Sequence, residues 1–294
     1  MPRRVLIQLD CDPQPSTFDA VVAVDAGVDV LLRHGGVTPD NVVPLVHGAM
    51  FTRGGADLAA TAIFVGGSDV AAAEEVCRRV SATFLGLVRV GVLLDPSGAN
   101  TTAAAAVIAA ARHLALAADA APTAERVAAV VLGGTGPVGQ RVARLLAGRG
   151  AAVTLVSRDR DRAAAAAARI GQARPGAAVE PLAVADFERD AGGVLSRAGL
   201  VVAAGAAGAM LLPRAIRERC SAAVYIDLNA VPPAGIEGIA ATDKARPDGR
   251  AVCYGALGVG GTKMKIHKAA IARLFAPDAP FLDAEELLAI GVTV

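Results

Sequence analysis

Short apolar runs alternate with stretches of helical period along the whole chain, the pattern of an α/β protein. Val5-Leu6-Ile7-Gln8-Leu9 predicts a buried strand with Asp10 at its C-terminal end. Ser16 followed three residues on by Asp19 resembles a capping box and opens a helix through Val21, Val22 and Val24. Val30-Leu31-Leu32 predicts a second strand, and Thr38-Pro39 supplies an N-cap and N1 proline for a helix through Val46. Thr61-Ala62-Ile63-Phe64-Val65 predicts a strand ending in Gly66-Gly67, with Asp69 capping a helix to about Phe84. A further strand runs from Val88 to Leu94 and ends at Asp95. An alanine-rich helix after Thr101 connects to a second domain, the boundary being marked by Pro122-Thr123.

Beyond that boundary the alternation resumes. Val127 to Leu132 predicts a strand, Pro137 to Gly148 a helix, Val153 to Val156 a strand and Ala163 to Ile170 a helix. More strands are expected near Leu182, over Leu200 to Ala203 and over Val224 to Asp227. Repeated βαβ units imply a parallel, doubly wound sheet of Rossmann type with right-handed crossovers. Tyr254 precedes a glycine-rich stretch, Gly255 to Gly261, expected to be flexible. Helices over Lys265 to Phe275 and Asp283 to Ile290 close the chain. The expected division is a substrate domain over residues 1–122, joined by the closing helices 265–294, and a nucleotide domain over 123–264.

Composition narrows the function classes. Hydrophobic residues reach 54%, much of it alanine, and aromatics only 3%, which suits close helix-on-sheet packing. A net charge of +1 without a basic run lacks the footprint of a nucleic-acid binder. Cys11, Cys77, Cys220 and Cys253 are scattered without a CxxC pair, as in a reduced, cytoplasmic protein with neither a disulfide framework nor a zinc site. No segment is long and apolar enough for a membrane span, and the run after Met1-Pro2-Arg3-Arg4 is too short for a signal peptide.

Gly134-Thr135-Gly136-Pro137-Val138-Gly139 satisfies G-x-G-x-x-G, follows a predicted strand and opens a helix, the context that dinucleotide binding requires. The first glycine is expected to permit the tight turn, the second the approach of pyrophosphate and the third close helix–strand packing. NAD sites place a carboxylate at the end of the next strand, to hold the ribose 2′-OH. Here Ser157-Arg158 stands there, a hydroxyl and a guanidinium that would bind a 2′-phosphate, so NADP is the expected cofactor. Arg160 and Arg162 are assigned to solvating the next helix.

Other polar or glycine-rich segments fall at strand ends, where open α/β sheets bind ligands: Asp10, Gly66-Gly67-Ser68, Asp95 to Thr102, Asp227-Leu228-Asn229 and the loop before Lys263. Two domains so arranged would enclose a cleft for a small molecule. His34, His47, His113 and His267 have no metal-ligand spacing, and His267 is read as structural. Lys263, just after Gly260-Gly261-Thr262, is placed at a helix start, where the dipole disfavours a cation, and so carries a functional hint.

These blocks resemble the bacterial NADP-dependent methylene-tetrahydromethanopterin dehydrogenases, which also accept methylene-tetrahydrofolate. The likeness runs through Ser16-Thr17-Phe18-Asp19, Val37 to Val42, Thr52 to Gly55, Thr61 to Gly67 and Asn100 to Ala105. It continues through the glycine loop, Asn229-Ala230 with Pro232-Pro233, Ala240 to Lys244, Gly255 to Gly261, Lys263, His267 and Asp283 to Glu286. The resemblance implies a pterin-bearing first domain, an NADP domain, hydride transfer in one-carbon metabolism and a homo-oligomer, a trimer in form. It carries Phe18, Asp19 and Thr102 to the pterin side, with Asn229 as a further substrate-side residue and Lys263 as the catalytic contributor. Oxidising a methylene group between two nitrogens moves a hydride and no proton, so no histidine base is required. A cationic Lys263 beside the carbon would oppose the growing positive charge; it is expected to meet pterin or tail oxygens, or to be held neutral. Two other readings fit the same architecture, an NADP-dependent dehydrogenase of the shikimate-dehydrogenase type and an NADP-sensing protein without turnover.

Overall fold

The computed structural model describes residues 2–116 and 126–294, so Pro122-Thr123, expected to mark the domain boundary, lie outside the described residues. In chain order the elements begin β1 (Val5–Asp10), α1 (Thr17–Asp25), β2 (Val30–His34), α2 (Val43–Phe51), β3 (Thr61–Gly66), α3 (Val70–Thr83), β4 (Gly91–Leu94) and α4 (Ala99–Ala111). Next come β5 (Ala128–Leu132), α5 (Pro137–Gly148), β6 (Ala152–Ser157), α6 (Arg160–Ala173), β7 (Ala178–Ala183), α7 (Val184–Arg189), α8 (Ala191–Leu195) and β8 (Leu200–Ala203). The chain finishes with α9 (Arg214–Arg217), β9 (Val224–Asp227), β10 (Arg246–Asp248), β11 (Ala251–Tyr254), α10 (Ala256–Arg273), β12 (Phe281–Leu282) and α11 (Ala284–Val292).

The chain divides into two compact units, Met1–Thr101 with Met264–Val294, and Thr102–Lys263. The divisions fall inside α4 and inside α10. The first unit holds a parallel five-stranded sheet in the order β12-β4-β3-β1-β2. That is a doubly wound order with its topological switch point between β1 and β3. Its core joins Ile7, Leu9, Ile63, Val65 and Val92 to Val46, Met50, Val76 and Val80 on the covering helices. The second unit holds seven strands, β10-β11-β9-β8-β5-β6-β7, parallel except for β10 against β11. Reversal of strand order at β5 and β8 is the Rossmann arrangement, and the crevice above that pair is where such folds take ligands.

Two local expectations are corrected. The helix expected from Thr38-Pro39 starts instead at Val43, with Pro44 in its first turn. Asn41 accounts for the delay: its Oδ1 accepts from the Thr38 N–H at 2.8 Å, and the Asn41 and Val42 amides return to the Thr38 carbonyl. The side chain thus closes a turn in competition with a helix. The strand expected from Val88 forms only from Gly91, because Leu85 and Val88 pair with each other in a tight reversal.

Candidate functional site

In the second unit the glycine loop after β5 packs tightly, with Gly139 in the packing role the motif assigns but with the turn at a different glycine. The left-handed turn after β5 falls on Gly133, with φ of +70°, one residue before the motif. Gly134 is needed for space: a Cβ there would lie 2.6 Å from Leu155 Cγ and 3.0 Å from the Val131 carbonyl. Gly139 lets α5 pack onto the turn, since its Cβ would meet the Gly133 oxygen at 2.6 Å. Gly136 is the N-cap of α5, and no side chain caps that helix. Pro137 has no N–H, which leaves Val138 and Gly139 as first-turn amides of the kind that accept an anion.

The loop is tied down from behind. Gln140 Nε2 donates to the Thr135 carbonyl at 2.7 Å, and Gln140 Oε1 accepts from Arg169 at 2.9 Å. Thr135 Oγ1 and Ser157 Oγ share a 2.9 Å hydrogen bond, and Ser157 Oγ also accepts from the Asp159 amide at 3.3 Å. Ser157 is therefore buried and committed to the loop. Arg158 is exposed at the end of β6. Arg160 faces Asp186 at 3.9 Å, and Asp159 caps α6 through the Arg162 amide. Gln140 had no motif to announce it.

In the first unit, α1 carries Phe18 and Asp19 directly after the β1 end of the switch point. Asp10, fully buried, accepts from the Asp12 amide at 3.0 Å and the Ser16 amide at 2.9 Å. Asp12 holds the facing loop by accepting from the Ser68 amide and hydroxyl at 2.9 and 2.8 Å. Gly67, at φ +125°, passes within 3.0 Å of Cys11 Cβ at the position a side chain would take. Burial, with Asp10, Asp12 and Asp69 nearby, pushes the Cys11 thiol up to about 11, so it is no nucleophile at neutral pH. Phe18 is 54% exposed, and its ring lies 6.5 Å from that of His267. His267 is fully buried and stacks on Phe64 at 5.8 Å, as a packing residue of this unit.

Three of the strand-end polar segments share one device. Asp95 accepts from the Asn100 and Thr101 amides and from the Thr101 hydroxyl, at 2.9, 3.1 and 2.6 Å. Asp227 accepts from the Asn229 and Ile236 amides, both at 3.0 Å. Burial pushes the Asp227 carboxyl above the usual range, against the pull of those amides and Gly235. Asp10, Asp95 and Asp227 are thus buried carboxylates that organise the loops following β1, β4 and β9. Asn229 belongs to such a loop: its amide donates to the Pro233 carbonyl and accepts from the Val231 N–H, both at 3.0 Å. Thr102 is half-buried near the start of α4.

Lys263 does not lie at a helix start, and Gly255 to Gly261 is not a flexible loop. α10 begins at Ala256, which puts Lys263 about two turns inside it, half-buried. The glycines were misread because their purpose is long-range. A Cβ on Gly255 would sit 2.0 Å from the Ala240 oxygen, and one on Gly258 1.7 Å from the Asp243 oxygen. The helix start is capped by that same loop, the Gly255 amide donating to Asp243 and the Leu257 amide to Ala241.

Comparison with known proteins places these features. The N-terminal domain family of methylene-tetrahydromethanopterin dehydrogenase matches residues 17–97. The bifunctional protein MdtA of Methylorubrum extorquens is 46% identical over 289 residues, 98% of this chain and 97% of that protein. An NAD(P)-dependent methylenetetrahydromethanopterin dehydrogenase of the same organism is 31% identical over 300 residues, covering 100% and 99%. Among solved structures, quinate dehydrogenase from Corynebacterium glutamicum in complex with NAD superposes with a TM-score of 0.51 at 16% identity, over 99% of both chains. Trypanosoma brucei methylenetetrahydrofolate dehydrogenase-cyclohydrolase gives 0.51 at 15%, over 93% of this chain and 86% of that one. At those identities the two structures show a common fold.

Proposed function

This chain belongs to the methylene-tetrahydromethanopterin dehydrogenase family, and from there we propose that it passes a hydride from methylene-tetrahydromethanopterin to NADP, giving the methenyl form. Methylene-tetrahydrofolate is the second carrier in this reading. What carries the choice of nucleotide is the end of β6, where a hydroxyl and an exposed guanidinium stand in place of a carboxylate.

The residues present fit a dinucleotide. Val138 and Gly139 offer first-turn amides at an α5 start that no side chain caps, with no side chain at Gly136 to block approach, an arrangement suited to a pyrophosphate. Arg158 meets the 2′-phosphate, with Ser157 and Thr135 fixing the strand end from which it projects. Bound there, NADP supplies the hydride acceptor. On the carrier side, Phe18 offers an exposed aromatic face to the flat pterin and Asp19 accepts from pterin N–H groups, and Thr102 is a further residue of the pterin side in this reading. Asn229 acts through the loop its amide builds. Positive charge grows on the carrier as hydride departs, spread over the two nitrogens that flank the carbon. Lys263 therefore holds oxygens of the pterin or its tail, away from that carbon. No residue has to take a proton; the protein's task is to hold donor and acceptor about 3 to 3.5 Å apart and keep water out.

The deciding experiment measures turnover of both methylene carriers with NADP and with NAD. We expect methenyl product with NADP and a higher KM for NAD. Absence of turnover with either carrier would sink the proposal, and a preference for NAD would sink the assignment of Arg158. The working form in this reading is a cytoplasmic homo-oligomer, a trimer. Val21 and Val24 on α1 and Leu32 on the edge strand β2 support it, being apolar and exposed. Sedimentation should give a multiple of the 29.4 kDa chain.

A further inference from the structure

Gln8 is 1% exposed in the middle of a strand whose only other polar residue is Asp10 at its C-terminal end. A buried amide is costly unless its donors and acceptor are met, so the position calls for an explanation. Gln8 pairs in register with Arg33 on β2 and with Phe64 on β3, so the three form one row across the sheet. Gln8 Oε1 accepts from Arg33 Nε at 3.1 Å. Gln8 Nε2 donates to the Ser16 carbonyl at 3.3 Å and, more weakly, to Asp10 Oδ2 at 3.4 Å. Arg33 Nη2 donates to the Pro15 carbonyl at 2.5 Å, and Asp10 Oδ2 accepts from the Ser16 amide at 2.9 Å. Three side chains thus converge on Pro15 and Ser16. Ser16 is the N-cap of α1, and its hydroxyl accepts from the Asp19 amide at 3.2 Å.

The other end of the row reaches the same helix by a different route. Phe64 stacks on His267, and His267 meets Phe18, with interplanar angles of 25° and 33°. The polar end of the row holds the cap of α1, and the aromatic end supports the exposed ring within its first turn. A sheet needs no such row to form, since apolar residues would fill these positions at lower cost.

We infer that Gln8 and Arg33 are positioning residues for the carrier: they lock the start of α1 so that the Phe18 ring and the Asp19 carboxylate present one fixed orientation to a flat heteroaromatic ring. The inference rests on the reading that Phe18 and Asp19 meet the pterin. The residues act through the helix cap and touch no substrate themselves. A looser cap leaves α1 several orientations, only a fraction of which bind the carrier, and apparent affinity falls by that fraction.

Arg33→Leu tests this in the full-length enzyme, since Arg33 is exposed and its replacement leaves the core intact. Losing two hydrogen bonds from a charged donor should raise KM for the methylene carrier about fivefold or more. KM for NADP should stay unchanged and kcat within about twofold, the split expected of lost carrier binding. Arg33→Lys should lie between, because one ammonium cannot hold the Gln8 oxygen and the Pro15 carbonyl in the same fork. Gln8→Leu with Arg33→Leu should cost less than the product of the single effects, as for two members of one network. The chain has no tryptophan, so Phe18→Trp adds a single fluorophore, whose anisotropy should fall when Arg33→Leu is added. An unchanged carrier KM in Arg33→Leu, or an equal rise in both KM values, overturns the inference even if Gln8→Leu fails to fold. Phe18→Ala separates the two ideas. If it leaves carrier KM unmoved, the pterin reading fails; if it raises KM while Arg33→Leu does not, the positioning role alone fails.

Discussion

Ser157 and Arg158 are neighbours in sequence with opposite duties. Ser157 has its hydroxyl engaged by Thr135 and by the Asp159 amide, while Arg158 stands exposed. Arg158→Ala should therefore raise KM for NADP by about tenfold to a hundredfold, the worth of charge-assisted bonds to a phosphate, and leave NAD nearly untouched. Ser157→Ala should weaken both nucleotides alike, because it loosens the glycine loop they share. Steady-state kinetics with each nucleotide distinguishes these outcomes, and equal losses in Arg158→Ala would remove it from the 2′-phosphate. A second residue-scale prediction concerns Arg217, nine-tenths buried, which stacks over the Tyr225 ring at 4.8 Å and bonds Asp248. That guanidinium holds the Asp248 carboxyl below its ordinary range. A depressed carboxyl contributes stability above its unfolded pKa and loses it as pH falls through the folded one. The part of the stability gap between wild type and Arg217→Met that depends on Asp248 should therefore be full at pH 7 and vanish only below about pH 3.9, leaving the stacking term. Denaturant melts across that range check it.

At the scale of the element, α10 holds glycines of two kinds in one helix. Gly258 admits the Asp243 carbonyl, and Ala at that position cannot fit without displacing backbone. Gly258→Ala should cost several kcal/mol or abolish folding, about the range of severe overpacking. Gly260 and Gly261 have open space where a Cβ would go. Gly260→Ala should stabilise the helix by about 0.5 to 1 kcal/mol, since alanine loses less backbone entropy there. Opposite signs in thermal melts are the expected result. Two destabilised variants would mean that Gly260 also meets a close neighbour. The same element shows how a pattern can mislead, because Gly-rich sequence spells flexibility locally and tight docking globally.

At the scale of the molecule, the first unit is assembled from both ends of the chain. β12 pairs with β4, the Val92 amide donates to the Pro280 carbonyl at 2.8 Å, and Gly91 lies where a Cβ would strike the Leu274 oxygen at 2.2 Å. Lys268 reaches Asp25 at 2.7 Å. Ending the chain at Lys263 should therefore unfold the first unit while the Rossmann sheet keeps its strands. Limited proteolysis and hydrogen exchange would show rapid loss of protection in residues 5–94 alone. Equal protection in both units of the truncated chain would contradict the assignment of the closing segment.

By itself the sequence determined what depends on near neighbours. Strand and helix periods placed β1, β3, α5, β6 and α6 close to where they lie, and the Ser16 and Asp69 caps were visible because each bonds within its own first turn. The glycine loop and the adjacent hydroxyl and guanidinium at the end of β6 could be read for the same reason, and membership of a dehydrogenase family from blocks along the chain. Only the tertiary structure decided which glycine makes the turn and which admits a distant carbonyl. It also decided that Asn41 closes a loop before α2 can start, and that Gln8, Arg33 and Phe64 fall in one row. The row and the close glycine approaches depend on strand register and on atoms brought together from separate stretches of chain, whereas the Asn41 turn is local and shows a side chain outcompeting a helix start that the pattern alone favours. Hydrophobic periodicity records which face a residue takes and carries no term for the identity of what it will meet there.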